Sequence, residues 1–174
     1  MGKRVLGMET EYAVSGHRAD GSPLDKAFLA NELVQLAARC LASLPSGENV
    51  GLFLANGSRF YRDAGNHPEV STPECLTPWE VVRYVAAGDR IMRDLANRLC
   101  ERTGPGTTVN LAKVNVDYSG SGNTWGCHES YSHAIPDRGF FEDLIPHLIS
   151  RIVYTGAGGF NSISLVTNGS VGAP

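Results

Sequence analysis

Two glutamates one residue apart, in the apolar opening stretch "GMETEYAV", are the first residues of this chain whose types and spacing suggest chemistry. Side chains two apart on a strand leave the same face, so Glu9 and Glu11 point together. Left alone, they repel. A solvated outer face would tolerate them, but the flanking positions are small or apolar. A hard cation such as magnesium would neutralise the pair. A second group lies in "NGSRFYRDAGNHPEVSTPEC". If a strand continues from Arg59, then Arg59, Tyr61 and Asp63 share a face, a set that suits handling a phosphate and a proton. His67, before a proline in a turn, reads as a structural hydrogen-bonding residue. Glu74 is recommended only by proximity. The third group is "GNTWGCHESY", where a strand would put His128 on the face of Gly126 and Ser130, open enough to reach a metal or phosphate, with Glu129 opposite. Asn115 and Asp117 are placed to support it. "SGSGN" lacks the Gly-Lys-Ser/Thr ending of a phosphate loop.

These groups need a scaffold, and hydrophobic periodicity supplies one. Residues 4–15 read as a strand, with Val5, Gly7, Glu9, Glu11 and Ala13 on one face. Ser22 and Pro23 are placed as N-cap and first residue of a helix running to about Leu44. "VGLFLANGSRFYRD" reads as a hairpin turning at Asn56-Gly57. Its two prolines make "HPEVSTPEC" irregular, or a short edge strand. Thr77, Pro78 and Glu80 form a capping box for a helix to about Arg102, with Val81, Val85, Met92, Leu95 and Leu99 as its apolar stripe. "TTVNLAKVNVDY" and "TWGCHESYSHAI" read as strands, 140–154 as a helix and "FNSISLVT" as a last strand. This order predicts an α+β fold: a mostly antiparallel sheet, helices on one face, a polar open face on the other.

The 174 residues are enough for one domain with a core, and 42% hydrophobic against 19% charged residues marks a globular chain. A net charge of −3 gives no reason to expect nucleic acid or an anionic membrane as partner. No apolar run approaches the roughly 20 residues of a membrane helix, and no signal-peptide core opens the chain, so a cytoplasmic protein is expected. Cys40, Cys75, Cys100 and Cys127 form no C-x-x-C pair and read as reduced thiols.

Taken together, "GMETEYAV", "NGSRFYRDAGNHPEVSTPEC" and "GCHESY" resemble, in content and order, the family of the Pup ligase and the depupylase, from residue 4 to about 160. These enzymes attach or remove the small protein tag Pup and belong to the glutamine-synthetase-like carboxylate–amine ligases. The resemblance implies a curved, mainly antiparallel sheet forming a cradle, with ATP and magnesium on its concave side. It implies Glu9, Tyr61 and Glu69 as magnesium ligands, with Glu11 and His128 facing the same metals. Arg59 and Thr72 match ATP-binding positions, and Asp63 matches the catalytic aspartate, proton acceptor for the substrate lysine. The implied reaction phosphorylates the side-chain carboxylate of Pup's C-terminal glutamate and joins it to a protein lysine.

The short interval before "NGSR", the "GCHE" and the glycine of "DAGNHPE" are ligase-like, whereas "STPEC" leans toward the depupylase. Val70 stands where the family usually has an aromatic residue, and "KVNVD" also departs from its pattern. The family's enzymes are far longer, so 1–174 is expected to be the N-terminal part of a glutamine-synthetase-like catalytic domain. Three other readings stay open: a depupylase, a ligase joining glutamate to a small amine, and an inactive nucleotide-binding module.

Overall fold

Four short strands, none longer than six residues, carry most of the groups singled out above. The computed structural model describes residues 4–47, 51–117, 122–134 and 137–155. It divides into two units, Met1–Lys113 with Gly126–His133, and Val114–Trp125 with Ala134–Pro174.

The first unit holds β1 (Leu6–Glu11), β2 (Ala13–His17), α1 (Lys26–Cys40), β3 (Ser43–Pro45), β4 (Gly51–Leu54), β5 (Arg59–Arg62), β6 (Pro68–Ser71), α2 (Pro78–Thr103), β7 (Thr108–Ala112) and β8 (Cys127–Tyr131). Its main sheet runs β3-β4-β5-β6-β1-β8 and a smaller one pairs β2 with β7. Every strand pair is antiparallel. This mixture of helices and antiparallel sheet is the α+β class expected.

Alternation along the strands sorts the two faces. Leu52, Leu54, Phe60 and Val70 are buried in one core with Leu29, Leu33 and Leu36 of α1 and Met92, Leu95 and Leu99 of α2. Each such side chain contributes about 1.5–3 kcal/mol on burial. Both helices pack on this side. Gly88 of α2 approaches so closely that a Cβ there would lie 3.2 Å from Val70 Cγ1. The intervening residues, Arg59, Tyr61, Glu69, Ser71, Glu9 and Glu11, are left to the other face.

Several elements begin or end elsewhere than expected. The first strand breaks at Tyr12, whose N–H donates to Pro68 O and whose hydroxyl donates to Asp89 Oδ1 at 2.7 Å. The residues beyond it join the smaller sheet. Helix α1 is capped by Asp25, which accepts from Phe28 N, not by Ser22. Ser22 is engaged in a turn with Asp20 and Arg18. The same helix stops at Cys40, because Ser43–Pro45 pairs with β4. Segment β6 is a central strand, not an edge. Pro68 is its first residue, a place where the missing N–H is tolerated, and its carbonyl accepts from Tyr12. The Asn56-Gly57 hairpin, with Gly57 at φ 85°, and the Thr77–Glu80 capping box with Pro78 are as expected. "FNSISLVT" and most of "SGSGN" lie outside the described residues.

In the second unit, Val116 and Thr124 form an antiparallel bridge and Asn115 Nδ2 donates to Trp125 O. Helix α3 (Asp137–Tyr154) carries Pro146 inside it. Among the described residues no helix is long and apolar enough to cross a membrane. None of the four cysteines forms a disulfide, and burial pushes the thiol of Cys75 up.

Phe60, fully buried behind the sheet between Arg59 and Tyr61, is the test of this packing. Phe60→Ala should cost about 3–5 kcal/mol of stability, read as a lower urea midpoint at unchanged slope.

Candidate active site

Two rows of side chains cross the open face. In antiparallel pairs, directly opposed residues project to the same side. The register aligns Arg59 with Ser71, Ser71 with Glu9, and Glu9 with His128. One step along, Tyr61 lies opposite Glu69 and Glu69 opposite Glu11. Residues from β5, β6, β1 and β8, up to 119 positions apart in the chain, thereby meet within a few strand spacings of about 4.8 Å.

They form two clusters. Glu9, Glu69 and His128 bring one ligand atom each to within 4.8 Å of one another, and so do Glu11, Asp63 and His67. In the first, His128 Nδ1 lies 3.2 Å from Glu9 Oε2. Ser71 Oγ sits 3.5 Å from both Glu9 Oε1 and the Tyr61 hydroxyl. In the second, His67 Nδ1 stands 3.1 Å from Glu11 Oε2 and 3.0 Å from Asp63 Oδ2. Glu11 Oε2 also accepts from Gly126 N at 2.8 Å. Arg59 stacks on the Tyr61 ring at 4.2 Å. Its buried Nε has no hydrogen-bond partner among the described residues, and a guanidinium is well suited to a phosphate.

Crowding sets the electrostatics. Glu69, only 3% exposed, has its carboxyl raised above the usual range. Burial is the main cause, and repulsion from Glu9, Glu11 and Asp63 adds to it; a hydrogen bond with Tyr61 works the other way. The Tyr61 phenol is likewise pushed up, by burial first, with Glu69 and Glu9 adding to it and a hydrogen bond from Ser71 working the other way. Oxygen-rich donors with this much uncompensated negative charge fit a hard divalent cation such as magnesium.

Beside Glu9 the face opens into a groove of about 390 Å³, lined among others by Gly7, Met8, Thr72, Glu74 and Tyr131. Gly7 keeps it open, because its position faces the groove without a side chain. Thr72 bonds the strand beneath it, its Oγ1 accepting from Met8 N at 3.0 Å and its N donating to Met8 O.

All eight residues selected from the sequence, Glu9, Glu11, Arg59, Tyr61, Asp63, Glu69, Thr72 and His128, fall on this face or its groove. His67 is a hydrogen-bonding turn residue, as its place before Pro68 suggested, and its ring also reaches Glu11 and so joins the second cluster. The partner that brings it there, Glu11, is 56 positions away, and no local pattern signals that contact. Asn115 and Asp117 belong to the second unit, where Asn115 pairs with Trp125.

Fold and face together define a class, a mixed α and antiparallel β protein with an acidic, histidine-bearing open face. The model of the Pup-ligase protein family matches residues 4–170. A Pup–protein ligase of Bifidobacterium adolescentis is 37% identical over 161 residues, 89% of this chain and 31% of that protein. One of Brachybacterium faecium is 40% identical over 167 residues, 91% of this chain and 33% of that protein. The crystal structure of the complex between the prokaryotic ubiquitin-like protein Pup and its ligase PafA superposes with a TM-score of 0.69 at 30% identity, over 86% of this chain and 30% of that one. The chain belongs to the Pup-ligase family, and it spans about a third of the length of the relatives it matches.

Two outcomes test this geometry. Protonated Glu69 favours the fold, since its folded-state value is raised. That contribution is fully present below the ordinary glutamate value of about 4.3 and is lost as pH rises through the folded-state value. Without divalent ions, urea unfolding of wild type against Glu69→Gln should therefore shift in favour of the variant as pH rises from about 4 to 7, and magnesium should narrow the gap. At Gly126, a Cβ would lie 2.7 Å from His128 Nε2 and 3.0 Å from Glu11 Oε1, both flexible side-chain ends. Gly126→Ala should leave the urea midpoint nearly unchanged while weakening magnesium binding in calorimetry by about tenfold, in line with loss of ligand positioning.

Proposed function

We propose that this chain supplies the metal- and phosphate-facing part of the catalytic domain of a carboxylate–amine ligase of the Pup type, dependent on ATP and magnesium and acting in the cytoplasm. Its partners are Pup and a lysine-bearing protein, and its product is an isopeptide bond. The observation that carries this reading is the convergence of Glu9, Glu69 and His128 with Glu11 and Asp63 on one face, next to an open groove. The domain assignment and the residue roles rest on the match between these positions and the family's motifs.

Glu9, Glu69 and Tyr61 would hold magnesium, with Glu11 and His128 facing the same ions. Magnesium-bound ATP supplies the phosphoryl group that turns an inert glutamate side-chain carboxylate into one an amine can attack. Arg59 offsets negative charge on the transferred group, its stacked guanidinium already fixed in place. Thr72 lines the groove beside Glu9, where the nucleotide would lie. Asp63 takes the proton that a lysine ammonium must lose before its nitrogen becomes nucleophilic.

Calorimetry with ATP and magnesium, followed by a conjugation assay in the full-length protein, tests these roles. Asp63→Asn should keep nucleotide affinity within about twofold while conjugation drops by about 10² to 10⁴, the usual weight of a general base. Glu9→Ala should abolish magnesium-dependent nucleotide binding. Normal binding by Glu9→Ala would overturn the metal assignment.

A further inference from the structure

We infer that His67 is the positioning residue of Asp63, a role that deepens the reading above and rests on it for the function of Asp63. The imidazole binds both sides of the problem at once. Its Nδ1 lies 3.0 Å from Asp63 Oδ2 and 3.1 Å from Glu11 Oε2. Carboxylate oxygens only accept, so Nδ1 carries the proton and shares it between the two. The other Asp63 oxygen, Oδ1, accepts the backbone N–H of the same residue, His67, at 2.7 Å. One residue thus holds both oxygens of Asp63 and fixes the rotation of that carboxylate about its side-chain bonds.

The loop is shaped for this. Asp63 N donates to His67 O and Asn66 N to Asp63 O, closing the turn between β5 and β6. Asn66 adopts φ 63°, the left-handed region, which asparagine tolerates better than most residues. Gly65 leaves room for the ring, since a Cβ there would lie 2.6 Å from His67 Cε1 and 3.0 Å from Nδ1. Glu11, the far end of the bridge, is itself anchored by Gly126 N at 2.8 Å. The ring therefore pins an exposed hairpin tip, carrying the proton acceptor, to the central strand β1.

The pin matters because a carboxylate beside bound cations is drawn toward them. An Asp63 free to rotate would turn to the metal and away from the incoming amine. Held by His67, one oxygen edge stays presented to the ammonium. Loss of His67 then slows proton removal and leaves nucleotide and metal binding in place.

The experiment compares His67→Ala, His67→Asn, His67→Gln, Gly65→Ala and Asp63→Asn in the full-length ligase, with Pup as donor. The acceptor is either a lysine side chain or hydroxylamine, an amine already unprotonated at neutral pH. His67→Ala should lower kcat with lysine by about 10- to 100-fold, less than removal of the base itself, with the KM for ATP within about twofold of wild type. Hydroxylamine should restore most of the rate to His67→Ala and to Asp63→Asn alike, because it needs no proton acceptor. His67→Asn, whose amide N–H reaches the place of Nδ1, should recover most of the lysine rate, and His67→Gln should not. Gly65→Ala keeps the imidazole but displaces the ring, so it should reproduce the His67→Ala pattern. A wild-type rate in His67→Ala beside a dead Asp63→Asn would overturn the positioning role and leave the function intact. Loss of ATP affinity, or a defect that hydroxylamine fails to relieve, would overturn it equally. An unimpaired Asp63→Asn would instead sink the reading of Asp63 on which it rests.

Discussion

Carboxylates packed side by side resist folding, and the structure of this chain is organised around that resistance. Glu9, Glu11, Asp63 and Glu69 share one face of one sheet, and Glu69 is almost wholly removed from water. Charge of one sign at such separations opposes the folded state. It is tolerated because the opposite face of the same strands is dry and well packed. Phe60 and Val70 are flanked in sequence by Arg59, Tyr61, Glu69 and Ser71, so each strand alternates a core residue with one on the polar face. The core under the helices is what holds the acidic face together.

A register fixed by hydrophobic alternation also fixes the chemistry. A slip of one residue in β6 would send Glu69 and Ser71 into the helices and Val70 into the open. Such an error exposes apolar surface and buries charge, so it is strongly disfavoured. The alignment of Tyr61 with Glu69 and of Glu9 with His128 is thus a by-product of correct core packing. Membership of the Pup-ligase family is consistent with such a layout, since 86% of the chain superposes on the ligase bound to Pup.

Much of this face was legible in the sequence because strand alternation is a local rule. Glu9 with Glu11, and Arg59 with Tyr61, are two apart, and any strand puts such pairs together. The hairpin at Asn56-Gly57 and the Thr77–Glu80 cap are equally local. What escaped depends on distant partners. Helix α1 ends early because Ser43–Pro45 finds β4, not because its own residues forbid another turn. The strand from Pro68 looked irregular because proline lacks a donor, yet as first residue it loses little. His67 looked like a turn residue until Glu11 met it from another strand. Single-sequence reading sees periodicity and punctuation, and it is blind to contacts that only tertiary packing creates.

Strand β8 is one of the two edge strands of the main sheet among the described residues, and it bonds to β1 along one side. Glu9 and Glu69 sit on interior strands held from both sides. Peripheral strands open and reclose far more readily than interior ones. Among the described residues His128 thus sits on a strand held from one side, where local opening is cheaper than on the two interior strands that carry the glutamates.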